Sequence, residues 1–141
     1  MELVIVCGIL LTITAIAIPS AEAMLDDARV ARAAGDIHAI EDDIALYQTM
    51  NNGQLPDDLV QVGDDWLRDP WHHPYQYLNH STMKGNGQAR KDRFLVPLND
   101  DYDLYSMGKD GGSVPPITAK VSQDDILRAS SGSFLGLASS F

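Results

Sequence analysis

Apolar and polar positions along the chain fall into two helical regimes, followed by short alternating runs. Residues 3–18 carry no charge, Thr12 and Thr14 are the only polar interruptions, and a single acid, Glu2, stands at the outer edge. This run of roughly sixteen residues is slightly short of the ~20 that span a bilayer as a helix, and it is too apolar for the surface of a soluble domain. No basic segment precedes it and no small-x-small site closes it, which argues against a secretory signal. Pro19 fits a membrane helix better than a soluble one. Beyond it, Val30, Ala33, Ile37, Ile40, Ile44 and Tyr47 recur at three- and four-residue steps, while Asp26, Asp27, Arg29, Arg32, Asp36, Glu41 and Asp42 occupy the other face. That pattern predicts an amphipathic helix covering a core. Gly35 weakens it by about 1 kcal/mol relative to alanine, and Asn51-Asn52-Gly53 with Pro56 ends it. One helix of about 50 residues, about 75 Å long, must protrude from its domain.

After a loop over 54–74, in which Leu55, Leu59, Val62, Trp66 and Trp71 are the expected anchors, three β-type runs follow, at 75–78, 93–96 and 102–106. Residues 81–91 have the composition of an exposed hairpin loop. The tail, 129–141, alternates Ser and Gly with Phe134, Leu135, Leu137 and Phe141, and is too apolar to be free. Strands laid across a helix predict a small α+β domain. The expected division is a transmembrane or filament-core segment at 1–22 and a globular domain at 23–141.

Charge and composition narrow the function. The 141 residues have room for one anchor helix and one small domain. A net charge of −10 argues against nucleic acid and against an anionic membrane surface, and it invites a divalent cation. Cys7 is the single cysteine, so there is no disulfide framework and no haem attachment motif. It reads as a small hydrophobe.

The acidic loops have two readings. Flexible loops rich in Asp and Gly supply the oxygen ligands that calcium takes six to eight at a time. Equally, Asp110-Gly111 suits a type I turn, and Asp124-Asp125 a helix start before Ile126. His72, His73 and His80 suggest a transition-metal site, but adjacent histidines in an extended segment point to opposite faces. His38 falls on the polar face of the helix. No hydrolase motif, metalloprotease motif or phosphate loop is present, so no enzymatic activity is expected. Glu2 also has two readings: a headgroup-level acid beside the start of the chain, or a carboxylate held for a partner cation, given the roughly 2.5–3.5 kcal/mol that a charge costs at the centre of a membrane helix.

At its start, Glu2-Leu3-Val4-Ile5-Val6, Gly8 and then Ala15-Ile16-Ala17-Ile18-Pro19-Ser20, the chain resembles the mature N-terminus of type IV filament subunits, the type IV pilins and the pseudopilins of type II secretion. Glu2 and Pro19 have that family's spacing. The resemblance implies that three residues and a basic leader precede Met1, that a prepilin peptidase removes the leader, and that the new terminus is methylated. It also implies that Glu2 pairs with the N-terminal amine of an adjacent subunit, and that Pro19 marks where the helix bends on assembly.

Further on, Asp69-Pro70-Trp71, Pro74-Tyr75, Tyr77, then Tyr102-Asp103-Leu104-Tyr105-Ser106, Gly108, Asp110-Gly111, then Asp124-Asp125-Ile126 are similar to the periplasmic domain of major pseudopilins. What this implies is a pilin fold, with the long N-terminal helix packed on a small antiparallel sheet followed by a C-terminal loop, and a structural calcium held by Asp110, Asp124 and Asp125, with backbone carbonyls near Met107. The implied protein is a homo-oligomeric helical filament subunit. It would be made as a single-pass precursor in the bacterial inner membrane, raised by an assembly platform there, and finish in a periplasmic or extracellular filament that serves protein transport. Three features depart from the family: a longer 113–123 segment, a tail of fifteen residues after Ile126, and Trp-His-His-Pro at 71–74. The first two leave open a surface pilus (a fimbrium for adhesion or motility). A monomeric membrane-tethered calcium-binding domain is the alternative from another class.

Overall fold

The computed structural model describes the backbone of residues 2–141 and the side chains of residues 3–8 and 21–141. One helix, α1 (Glu2–Met50), is followed by four strands: β1 (Gln76–Asn79), β2 (Tyr102–Ser106), β3 (Ile126–Ala129) and β4 (Phe134–Leu137). They form an antiparallel sheet in the order β1-β2-β3-β4, each strand beside its neighbour in sequence. The register pairs Leu78 with Asp103, Tyr105 with Leu127, and Arg128 with Leu135. The chain is therefore α+β, with α1 packed on one face of the sheet.

The apolar stripe of α1 explains that packing. Ala33, Ile37, Ile40 and Ile44 are wholly buried, against Tyr75, Tyr102, Leu104 and Ile126. A helix side chain recurs on the same face every three or four residues, so these four alone make a continuous ridge. Along β3 the facing alternates at every residue. Ile126 enters the core under α1, whereas Leu127 enters a second cluster with Leu98, Ile117, Ala129 and Ala138 on the far side of the sheet. That second cluster is covered by the loops rather than by a helix. α1 ends where expected: the Asn51 side-chain amide donates to the Tyr47 carbonyl at 2.8 Å, and Gly53, at φ +82°, donates to the Gln48 carbonyl at 2.8 Å. A side chain at Gly53 would be strained in that left-handed conformation.

Several sequence expectations need correction. Residues 93–96 form an exposed loop and not a strand: Asp92 N–H donates to the Leu95 carbonyl at 2.9 Å, turning the chain so that Phe94 points outward, 91% exposed. Trp66, expected to anchor its loop, is 71% exposed. The tail does not stay a loop, because Phe134–Leu137 pairs along β3 as the fourth strand. Among the described residues no helix is long and apolar enough to cross a membrane. The side chains of residues 9–20, on which the membrane expectation chiefly rests, lie outside that set.

Candidate functional site

Two regions could carry function: the part of α1 ahead of the sheet, and the loops after β2 and before β3. On α1, Leu3, Val4, Ile5 and Val6 are all more than half exposed. Successive helix residues are about 100° apart, so four in a row cover the whole circumference. Apolar surface therefore faces outward in every direction at this end. Met24 and Leu25 are also exposed, just ahead of the point where the stripe meets the sheet. The side chains of Glu2 and Pro19 lie outside the described residues. Lys109, on the loop after β2, reaches back to Asp26 of α1 at 2.8 Å, and Arg29 holds the other carboxylate oxygen at 2.8 Å. Those two hydrogen bonds hold the Asp26 carboxyl below its ordinary value.

The loop after β2 is built around two glycines. Gly108 and Gly111 both have positive φ, at +65° and +68°. A Cβ on Gly108 would overlap the Asp124 backbone, and one on Gly111 would overlap the His73 ring. The chain can approach both only without side chains. This brings Asp110 and Asp124 together: the Asp110 N–H donates to Asp124 Oδ2 at 3.0 Å, and Asp110 Oδ1 accepts from the Gly112 N–H at 2.7 Å. Met107, half-buried, sits at the start of this loop.

Asp125 is bound into the interior through one of its two oxygens. It is wholly buried, with Oδ2 accepting from Arg90 and, at 2.6 Å, from the Ser113 hydroxyl. Its Oδ1 is buried without a partner among the described residues. Burial pushes its carboxyl up to about 6, against the pull of Ser113 and Arg90 and with a further push from Asp124. The Arg90 guanidinium also lies 4.3 Å over the Tyr105 ring and donates to the Val114 carbonyl. Asp110 and Asp124 are thus side by side, while Asp125 is mainly the counter-ion of a buried arginine. The donor set fits a calcium ion in part: two carboxylates, nearby carbonyls, and the free Oδ1 of Asp125. Among the described residues, no three acidic, histidine or cysteine side chains already converge as a metal-holding group.

The histidines are separated from one another. His72 is exposed at φ +73°. His73 Nδ1 lies 3.1 Å from the Gly108 carbonyl and 3.7 Å from Asp69 Oδ2, so its ring props the glycine loop. The same Asp69 oxygen accepts from the buried Ser106 hydroxyl at 2.5 Å. His80 is half-buried, its side chain tucked in 3.1 Å from Asp103. His38 is exposed on α1, near Glu41. His73 is therefore a packing element of the glycine loop, while His72 beside it faces outward.

Two buried arginines escaped the sequence reading. Besides Arg90, Arg128 on β3 donates from Nε to Glu41 at 2.6 Å and grips Asp101 with two parallel bonds of 2.7 and 2.8 Å. Its guanidinium lies 4.2 Å over the Tyr102 ring. A basic residue inside an otherwise apolar strand, Ile126–Ala129, was the available signal.

Comparison with protein-family models, with characterised proteins and with solved structures gives no match for this chain.

Proposed function

We propose that this chain is a structural subunit that polymerises into a type IV-like filament, most like the major pseudopilin of a type II secretion system. The observation that carries the reading is the N-terminal part of α1, where Leu3, Val4, Ile5 and Val6 present apolar surface around the full circumference while the domain packs only on the later stripe. Such a helix needs lipid or other helices around it. Exchanging one for the other costs little hydrophobic energy, because lipid tails are about as apolar as leucine, so extraction from a membrane into a helical bundle is feasible. The spacing of Glu2 and Pro19 supports the same reading. The sheet, held outside the bundle by α1, would decorate the filament with an acidic surface.

Calcium belongs to this proposal as a structural ion. Asp110 and Asp124 would hold it, with Asp125 Oδ1 and carbonyls of the Met107–Gly108 turn. When bound it would supply positive charge between carboxylates that otherwise repel. The glycines at 108 and 111 and the His73 ring bring the ligand loops together.

Electron microscopy of the full chain from its native membrane or sheared surface fraction, with and without a calcium chelator, tests both parts. Filaments that fall apart on chelation support assembly and ion together. Filaments indifferent to chelation keep the assembly and remove the ion, and monomers under every condition overturn the reading.

A further inference from the structure

The exposed loop between β1 and β2 carries an apolar tip whose chemistry matches a cleft elsewhere on the same domain. Phe94, Leu95 and Val96 are all exposed, Phe94 almost completely. The loop that holds them is not slack. At its base Lys91 N–H donates to the Pro115 carbonyl at 3.0 Å, Ile117 N–H to the Lys91 carbonyl at 3.0 Å, and Leu98 N–H to the Arg90 carbonyl at 2.7 Å. The Asp92–Leu95 turn closes the tip. An apolar knob presented in fixed form loses little further freedom on docking, which favours binding. Beside it stand Arg93, exposed, and Lys91, half-buried; neither takes part in an ion pair among the described residues.

The cleft lies along β1, the edge strand of the sheet. It has a volume of about 240 Å³, with Tyr75, Tyr77 and Gln76 on the strand side and Asp58, Val60 and Asp65 on the loop side. Val60 is exposed at its rim, and Trp66 follows Asp65 in the same loop. Neither Asp58 nor Asp65 pairs with a cation among the described residues, and Arg68 spends its guanidinium on the carbonyls of Asp65 and Leu67. Thus an aromatic knob flanked by unpaired bases and an aromatic-walled cleft flanked by unpaired acids occur on one chain. The exposure of Phe94 shows that the knob does not fill its own cleft.

We infer that the occupant of the Tyr75–Tyr77 cleft is the Phe94 tip of a second copy of this chain, with Arg93 of that copy set against Asp58 and Asp65. Knob and cleft are different surfaces, so the contact is heterologous: each copy that receives a tip still offers its own, and assembly continues without closing. The inference rests on the filament reading and adds to it a contact between the outer domains, separate from the helical core. It also offsets part of the repulsion between copies that each carry −10.

The test uses the full chain with Cys7→Ala. Two co-expressed populations, one with Leu95→Cys and one with Val60→Cys, carry different tags and are oxidised in the membrane fraction; the same fraction is imaged for filaments. Mixed-tag disulfide dimers are the expected result. Arg93→Asp should reduce them about tenfold, the loss of one well-placed interfacial contact of about 1.4 kcal/mol, and Asp65→Arg in the partner population should restore them. Filaments without mixed dimers overturn this contact and leave the filament reading standing. Mixed dimers without filaments support the contact and count against the filament. Disulfides joining position 95 only to other proteins, or flotation of the tip with lipid and no mixed dimers, overturn the inference.

Discussion

Arg128 on β3 and Glu41 on α1 are joined by a 2.6 Å hydrogen bond from Nε to Oε1, a polar tie between sheet and helix. The remaining nitrogens of Arg128 hold Asp101, and both partners lie at the margin of the core. Removing the cation leaves two carboxylates facing each other near a desolvated ring. Arg128→Met should therefore destabilise the domain by about 3 kcal/mol, the usual scale for breaking a buried pair from one side. Glu41→Gln, which keeps an acceptor oxygen, should cost less than half as much. Urea unfolding followed by tryptophan fluorescence decides it; equal costs would show that packing of the arginine stem, and not the ion pair, is what matters.

The same pair sets an acid limit. Burial alone would raise the Asp101 carboxyl, but the hydrogen bonds from Arg128 and from the Tyr102 backbone, with the charge of Arg128, outweigh it and hold the group below its ordinary 3.8. A carboxyl depressed in the folded state contributes stability that is present above its unfolded value and lost as pH falls through the folded one. Stability should therefore decline below about pH 4, and Asp101→Asn should flatten that decline. Urea midpoints measured across that range give the comparison, and a decline of unchanged slope in the variant would assign it to other groups.

Calcium should raise the melting temperature of the wild-type domain, since a ligand at one hundred times its dissociation constant adds about 2.7 kcal/mol. Asp124→Ala and Asp110→Ala should abolish the rise while changing the metal-free stability little, both side chains being near the surface. Asp125→Ala should behave differently, because it also strands Arg90 in the interior and so unfolds the protein more readily without metal. Calorimetry with calcium and with chelator separates the two kinds of loss. No calcium response in the wild type would remove the ion from the account.

Glu2→Ala should leave the circular dichroism and melting of the domain unchanged, since the sheet packs on α1 only from Val30 onward. Filament yield should fall at least tenfold if the carboxylate pairs with a neighbouring amine. Normal filaments from this variant would remove that role. Local melting at Pro19 on assembly is a separate matter, and a continuous helix through residues 15–21 in a filament map would discard it.

The helix and its buried stripe were legible because Ile37, Ile40 and Ile44 repeat at a spacing that no strand shares. β1 and β2 were legible from the tyrosine-rich, β-type runs at 75–78 and 102–106. The run Arg93-Phe94-Leu95-Val96 misleads because β-type composition says that a segment suits a sheet and cannot say whether a sheet partner exists. Here the turn at Asp92 takes the run away from one. β3 was masked by Asp124-Asp125, which suits a helix start, and by Arg128, whose charge hides an otherwise apolar strand. β4 was masked by glycine and serine, since Gly136 contributes no side chain to an alternating pattern. In the acidic loops it was the family resemblance, and not the residue pattern, that grouped Asp110, Asp124 and Asp125, and neither could show that Arg90 claims Asp125 from some 35 positions away.

The order of strands in the sheet also sets a schedule for synthesis. Ile126 of β3 and Leu135 and Leu137 of β4 complete the cover over Ile37, Ile40 and Ile44, yet they are translated some 80 to 100 residues after the helix they seal. At ribosomal rates of about 5–20 residues per second, the stripe on α1 waits several seconds before its lid arrives. Throughout that interval the nascent chain displays two sticky surfaces in tandem, the apolar start of α1 and the stripe that β3 and β4 have yet to cover.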